Sequence, residues 1–92
     1  MIISFKHKGL EQFFKTGSTA GIQAKHADRL NIILTALNAA TAAQDLNRSG
    51  WNLHRLKGEL VEHWSVKVNG NWRITFRFEN GNAEIVNYQD YH

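Results

Sequence analysis

Trp64-Ser65-Val66-Lys67-Val68-Asn69-Gly70-Asn71-Trp72-Arg73-Ile74-Thr75-Phe76-Arg77-Phe78-Glu79-Asn80-Gly81 is the stretch that decides the fold class of this chain. Trp64, Val66 and Val68 alternate with Ser65 and Lys67, and from Trp72 to Glu79 every even position is large and apolar while every odd one is polar. A period of two predicts strands with one face in a core and the other free of it. Asn69-Gly70 supplies residues that tolerate the positive φ of a tight turn, and Asn80-Gly81 repeats the signal. Ala83 to Tyr88 reads as a third strand, which gives a meander whose outer face presents Arg73, Thr75 and Arg77.

Upstream the period changes. Between Gln23 and about Ala40, the apolar positions Ala27, Leu30, Ile33, Leu34, Leu37 and Ala40 or Thr41 recur at three and four, the spacing of a helix with one buried stripe. A shorter stripe of Leu10, Phe13 and Phe14 predicts a first helix from Lys6 to Lys15, ended by Thr16-Gly17-Ser18. Ile2, Ile3 and Phe5 suit a short opening strand, while Arg48 to Val61 shows no period and reads as a long loop with room for one short element. Trp51 lies in that loop and is expected to be exposed. The order β-α-α-loop-β-β-β predicts an α+β fold: two N-terminal helices packed on an antiparallel sheet with a C-terminal three-stranded meander.

With 92 residues, 42% of them hydrophobic and 21% charged, and with no proline and no internal repeat, residues 1–92 are expected to form a single domain. A chain this short buries about 60–65% of the surface its unfolded form exposes, so its ligand is expected on a face or in a shallow groove. No apolar run nears the roughly 18 residues that cross a bilayer, so no membrane role is expected. Cysteine is absent, which excludes disulfides, thiolate nucleophiles and cysteine-based zinc sites. The opening Met-Ile-Ile-Ser-Phe-Lys-His-Lys is too short an apolar segment for a signal peptide, and the expected address is the cytoplasm. Eleven Lys and Arg against eight Asp and Glu give a net charge of +3, which favours a polyanionic partner.

Three polar clusters stand at places the topology could bring together: His54 and Lys57 from the loop, Arg73 and Arg77 from the middle strand, and Asp90, Tyr91 and His92 at the end. These residue types cover what phosphodiester cleavage needs. When an RNA 2′-hydroxyl attacks its own phosphate, one group takes its proton, another protonates the leaving 5′-oxygen, and cations steady the transition-state charge. Histidine serves either proton role near neutral pH, and the arginine fork matches two phosphate oxygens. That route calls for no metal and no cofactor. Residue by residue, plainer readings compete. Alternating arginines on an open strand usually form a solvated face, Trp64, Trp72, Phe76 and Phe78 fit the core period, and His7, His26 and His63 read as surface polar side chains without a role. A zinc triad of His54, His63 and His92 has no supporting spacing.

The order of several short segments adds a resemblance. Ser4-Phe5-Lys6-His7-Lys8-Gly9-Leu10, Leu53-His54-Arg55-Leu56-Lys57-Gly58, Trp64-Ser65-Val66, Asn71-Trp72-Arg73-Ile74-Thr75-Phe76, Asn80-Gly81-Asn82-Ala83 and Asn87-Tyr88-Gln89-Asp90-Tyr91-His92 together resemble the HigB family of bacterial toxins, within the RelE-like superfamily of ribosome-dependent ribonucleases. The resemblance implies a toxin that enters the ribosomal A site and cleaves messenger RNA by the 2′-hydroxyl route, inhibiting translation. It implies His54, Lys57, Arg73, Asp90, Tyr91 and His92 as the catalytic set. In that set Arg73 and Lys57 hold phosphate charge, His54 and His92 are candidates for proton transfer, Asp90 orients or accepts a proton, and Tyr91 positions base or phosphate. Lys6, Lys8, Lys25, Arg29 and Arg77 would contact RNA backbone. The implied partners are a helix-turn-helix antitoxin resembling HigA, the ribosome and its message, with operator DNA reached only through the antitoxin. Two other readings stay open on the residues alone: a non-catalytic RNA- or ribosome-binding module using the same basic sheet, and a protein-interaction domain recruiting a partner strand at the sheet edge.

Overall fold

The computed structural model describes residues 1–57 and 62–90. Helices α1 (Lys8–Thr16) and α2 (Ala27–Ala39) precede strands β1 (His54–Arg55), β2 (His63–Asn69), β3 (Trp72–Glu79) and β4 (Asn82–Asp90), with short 3-10 turns at Ala24–His26 and Ala43–Leu46. The strands form one antiparallel sheet in the order β1-β2-β3-β4. It is thus an α+β fold. β1, two residues long, is the short element for which the 48–61 segment had room, whereas the expected opening strand at Ile2, Ile3 and Phe5 forms only isolated bridges to β4.

Ile74 and Phe76 of β3 are fully buried against Leu30, Ile33, Leu34 and Leu37 of α2, together with Leu10 of α1 and Val66 and Val86 of the flanking strands. Burying such side chains contributes about 1.5–3 kcal/mol each, which fixes the helical layer to this one face. Trp51, expected in solvent, is 5% exposed: its ring lies under the Arg29 and Arg48 guanidiniums, and its carbonyl accepts from the Lys67 N–H at 2.7 Å. His26 is likewise core and not surface, 2% exposed, with Nδ1 2.6 Å from the Tyr88 hydroxyl and its ring edge-on to Trp72.

The ends of the elements follow local chemistry. α1 starts at Lys8, later than the pattern suggested, because His7 Nδ1 accepts the Leu10 N–H at 2.9 Å and caps the helix. Residues before it are held elsewhere. The Ile3 and Lys6 N–H groups donate to Ala83 and Val86 carbonyls, both at 2.8 Å, so the N-terminal segment runs parallel along β4 through bridges Ile2↔Ala83 and Phe5↔Val86. α2 is also shorter than its apolar pattern, because Ala24–His26 forms a separate 3-10 turn. The first hairpin turns on Gly70 and Asn71, one residue later than expected, with Asn69 paired to Trp72 and positive φ at Gly70 alone, the signature of a II′ turn. In the second, Asn80 and Gly81 both have positive φ, as a I′ turn requires. β4 extends past the predicted Ala83–Tyr88 and carries a bulge at Ile85, whose φ of +55° is strained for a β-branched residue by about 1–3 kcal/mol.

Three imidazoles are held below their ordinary value: His7 by burial, His26 by burial and the Lys25 charge, and His63 by burial and the charges of Arg77 and Lys6. Below the ordinary value of about 6.5 the unfolded chain therefore binds more protons than the folded one, so stability is present above that pH and is lost as pH falls through it. Urea midpoints are expected to hold steady at pH 7.5 and above and to drop between pH 6.5 and 5. A midpoint unchanged over that interval would contradict the neutral, sequestered imidazoles.

Candidate active site on the open face of the sheet

The helices cover one face of the sheet, and the strand registers compose the other. Three rows run across it: Lys67, Arg73 and Gln89; then Ser65, Thr75 and Asn87; then His63, Arg77 and Glu84. His54 of β1 extends the middle row, standing across from Ser65. Rows are separated by two residues, about 6.6 Å along a strand, and columns by about 4.8 Å.

His54 is exposed, and its Nδ1 lies 2.9 Å from the Asn52 carbonyl. A carbonyl only accepts, so Nδ1 carries the hydrogen and the neutral ring keeps its lone pair on Nε2. Asn52 has a φ of +49°, which turns the chain just ahead of the ring it orients. Arg73 donates from Nη1 to the carbonyls of Gly70 at 3.1 Å and Trp72 at 3.3 Å. That clamp holds the guanidinium at the hairpin end of β3 while Nε and Nη2 make no bond among the described residues. His54 and Arg73 share the open face with β2 between them, their Cα atoms roughly 10–12 Å apart. A phosphodiester and its ribose fit between such groups.

Lys57 is exposed just beyond β1. Asp90 closes β4 opposite Trp72, next to Arg73, and by alternation its side chain belongs with Trp72 at the sheet's end and not on the open face. Tyr91 and His92 lie outside the described residues. The five basic residues read as RNA contacts do not share one surface. Lys6 borders the open face, whereas Lys8, Lys25 and Arg29 belong to the helical layer. Arg29 donates to the Gly50 carbonyl at 3.3 Å and the Lys67 carbonyl at 3.2 Å, tying α2 to the sheet's edge. Arg77 donates from Nε to Glu84 at 2.7 Å, closes a second contact to the same carboxylate and reaches Glu79 at 3.3 Å. Its charge is thereby matched, and the bond to Glu84 raises its affinity for its proton.

Residues the sequence reading passed over also sit here. His63, Thr75, Asn87 and Gln89, with Lys6 and Ile85, line a recess of about 90 Å³ on this face. Ser65 and Thr75, across from each other, are both buried, and among the described residues neither Ser65 Oγ nor His63 Nδ1 has a hydrogen-bond partner. The signal is in the alternation: His63, Ser65 and Lys67 are the alternate positions to Trp64, Val66 and Val68.

Comparison with known proteins adds three findings. A family model described as the RelE-like toxin of type II toxin-antitoxin system HigB matches residues 3–92. The chain is 52% identical over 92 residues to Endoribonuclease HigB of Proteus vulgaris, covering 100% of both sequences. Its fold is similar to a chain of the YoeB-YefM complex from Staphylococcus aureus, with a TM-score of 0.63 at 14% identity, covering 100% of this chain and 98% of that one.

The tautomer of His54 is open to direct measurement. At pH 8, nitrogen chemical shifts of its imidazole are expected to report a protonated Nδ1 and a bare Nε2. The reverse assignment would remove the base from the open face.

Proposed function

This chain belongs to the HigB-like family of RelE-like toxins of type II toxin-antitoxin systems, and from that premise we propose how its residues cut RNA. The activity is that of an endoribonuclease, and an antitoxin is its partner. The full-length relative sets aside the two non-catalytic readings. We infer that residues 1–92 act as one toxin unit in the cytoplasm, that the substrate is messenger RNA in the ribosomal A site, and that the antitoxin is a helix-turn-helix protein resembling HigA. Operator DNA is then met only through that antitoxin. Among the described residues no helix is long and apolar enough to cross a membrane.

The observation that carries the mechanism is the bare Nε2 of His54 on the same open face as the clamped guanidinium of Arg73. In the proposed step His54 Nε2 takes the 2′-hydroxyl proton, the 2′-oxygen bonds to phosphorus, and the bond from phosphorus to the 5′-oxygen breaks. His92 protonates that leaving oxygen. The products are a 2′,3′-cyclic phosphate and a free 5′-hydroxyl. Arg73, with Lys57 as a second point charge, holds the non-bridging oxygens as negative charge develops on them. Asp90 orients the terminal residues, and Tyr91 positions the base or phosphate; for Lys57, Asp90, Tyr91 and His92 the support is the family resemblance. Every proton transfer falls to a side chain, so the scheme needs no metal.

General acid–base groups contribute about 10²–10⁴-fold to a rate, so His54→Ala is expected to slow cleavage on programmed ribosomes by at least about 10². Arg73→Ala is expected to slow it comparably by loss of charge stabilisation, about 10²–10³. His54 is exposed, so its substitution should leave the thermal midpoint in place. Single-turnover rates, with end-group analysis for the cyclic phosphate, check both; wild-type rates in His54→Ala would end the scheme.

A further inference from the structure

The recess lined by Lys6, His63, Thr75, Ile85, Asn87 and Gln89 lies one row from Arg73 and is not used in the scheme above. Its existing hydrogen bonds fix its polarity. Asn87 Oδ1 accepts the Tyr88 N–H at 2.9 Å, which leaves the side-chain NH2 to donate. Gln89 Nε2 donates to Thr75 Oγ1 at 3.0 Å, which leaves the threonine's own proton unspent. Among the described residues His63 Nδ1, at the recess, has no hydrogen-bond partner, nor has the fully buried Ser65 hydroxyl directly across from Thr75. Buried polar atoms without partners are rare, and two stand on this face, the His63 one at the recess itself. Charge completes the pattern. Arg77 is matched by Glu84 and Glu79, whereas Lys6 makes no ion pair among the described residues. Lys6 is held in place by its own N–H bond to Val86 at 2.8 Å, beside the strained Ile85, whose N–H donates to Ser4 Oγ at 2.8 Å.

Donors and one cation around a small volume make an anion site. About 90 Å³ is room for roughly three waters. That suits a phosphate, and the one ring in its lining is the partly buried His63 imidazole, with no Phe, Tyr or Trp as a stacking platform. Thr75 lies two residues from Arg73, about 6.6 Å along the strand, which matches a single step between successive phosphates of an extended chain. We propose that this recess is a second phosphate subsite, in which Lys6, Thr75 and Asn87 hold the backbone phosphate adjoining the scissile one. The proposal rests on the RNA-cleaving reading above and makes Lys6 and Thr75 positioning residues for that reaction.

The experiment uses messages on programmed ribosomes in which the linkage on either side of the scissile one is, in turn, an uncharged methylphosphonate. Wild-type protein is expected to cut one of the two about tenfold more slowly than the unmodified message. Lys6→Met and Thr75→Val are expected to cut the unmodified message more slowly but to show less than about a twofold further loss on the modified one, because the coupled contact is already gone. Lys6 is exposed, so the urea midpoint of Lys6→Met should be unchanged, which separates this loss from unfolding. Indifference of the wild type to both methylphosphonates overturns the proposal, as does a penalty that persists in both variants. Insensitivity of the variants to an abasic nucleotide instead would make this a base pocket and equally overturn it. If wild-type protein leaves even the unmodified message intact, the ribosomal reading fails, and inorganic phosphate titrated into the free protein still decides the subsite. His63 and Asn87 resonances should then shift in the wild type and stay put in Lys6→Met; no shift in the wild type refutes the site.

Discussion

A one-residue slip of β3 against its neighbours would carry Arg73, Thr75 and Arg77 into the helical layer and turn Ile74 and Phe76 out to water. Strand side chains alternate strictly, so no smaller error of register exists. Two fully buried large side chains would lose about 1.5–3 kcal/mol each, and each unpaired arginine driven inward would cost several kcal/mol more. The pairing of β3 with β2 and β4 therefore has one acceptable solution. Everything on the open face inherits its position from that solution: the three rows of polar residues, the place of Arg73 at the hairpin end, and the distance from Arg73 to His54.

The two faces treat buried polarity in opposite ways. Inside the helical layer, His26 and Tyr88 meet at 2.6 Å, Trp72 stacks on Tyr88 with centroids 4.5 Å apart, and His7 stands edge-on to the same ring. Burial raises the Tyr88 hydroxyl's affinity for its proton while lowering that of His26, so both stay neutral and each satisfies the other. This cluster fastens the start of α2 to the sheet's end, beside the strand from which Arg73 projects. On the open face, the Ser65 Oγ and His63 Nδ1 atoms are buried yet have no hydrogen-bond partner among the described residues. A structural core completes its hydrogen bonds within the chain, whereas a binding face leaves some of them for the ligand.

Charge is distributed with the same economy. Of the two arginines on β3, Arg77 is held by Glu84 and Glu79, while Arg73 is held, among the described residues, by backbone carbonyls, which aim it without cancelling its charge. Arg29 is given over to the fold, bridging α2 to Gly50 and Lys67. A net charge of +3 thus says little about where an anion binds until the carboxylates have been assigned to their partners.

Periodicity is a property of neighbours in sequence, and what depended on it was legible. The alternation from Trp72 to Glu79 announced the core and open faces of β3, the stripe from Leu30 to Leu37 announced α2, and two Asn-Gly pairs announced the hairpins. His54, Arg73 and the ordered segments around them were enough to resemble the HigB family. What the sequence could not carry was set by partners far along the chain. β1 exists because His54 and Arg55 pair with Ser65 and Trp64, and α1 starts late because Ile3 and Lys6 bond to β4 about 80 positions away. Trp51 and His26 are buried by groups that come from other elements. The recess beside Arg73 needs side chains from the N-terminal segment and three strands, plus a bulge that forces positive φ on an isoleucine no local preference would place there. Local sequence sets which face of each element is apolar; only the closed sheet, by fixing register, decides which polar groups meet.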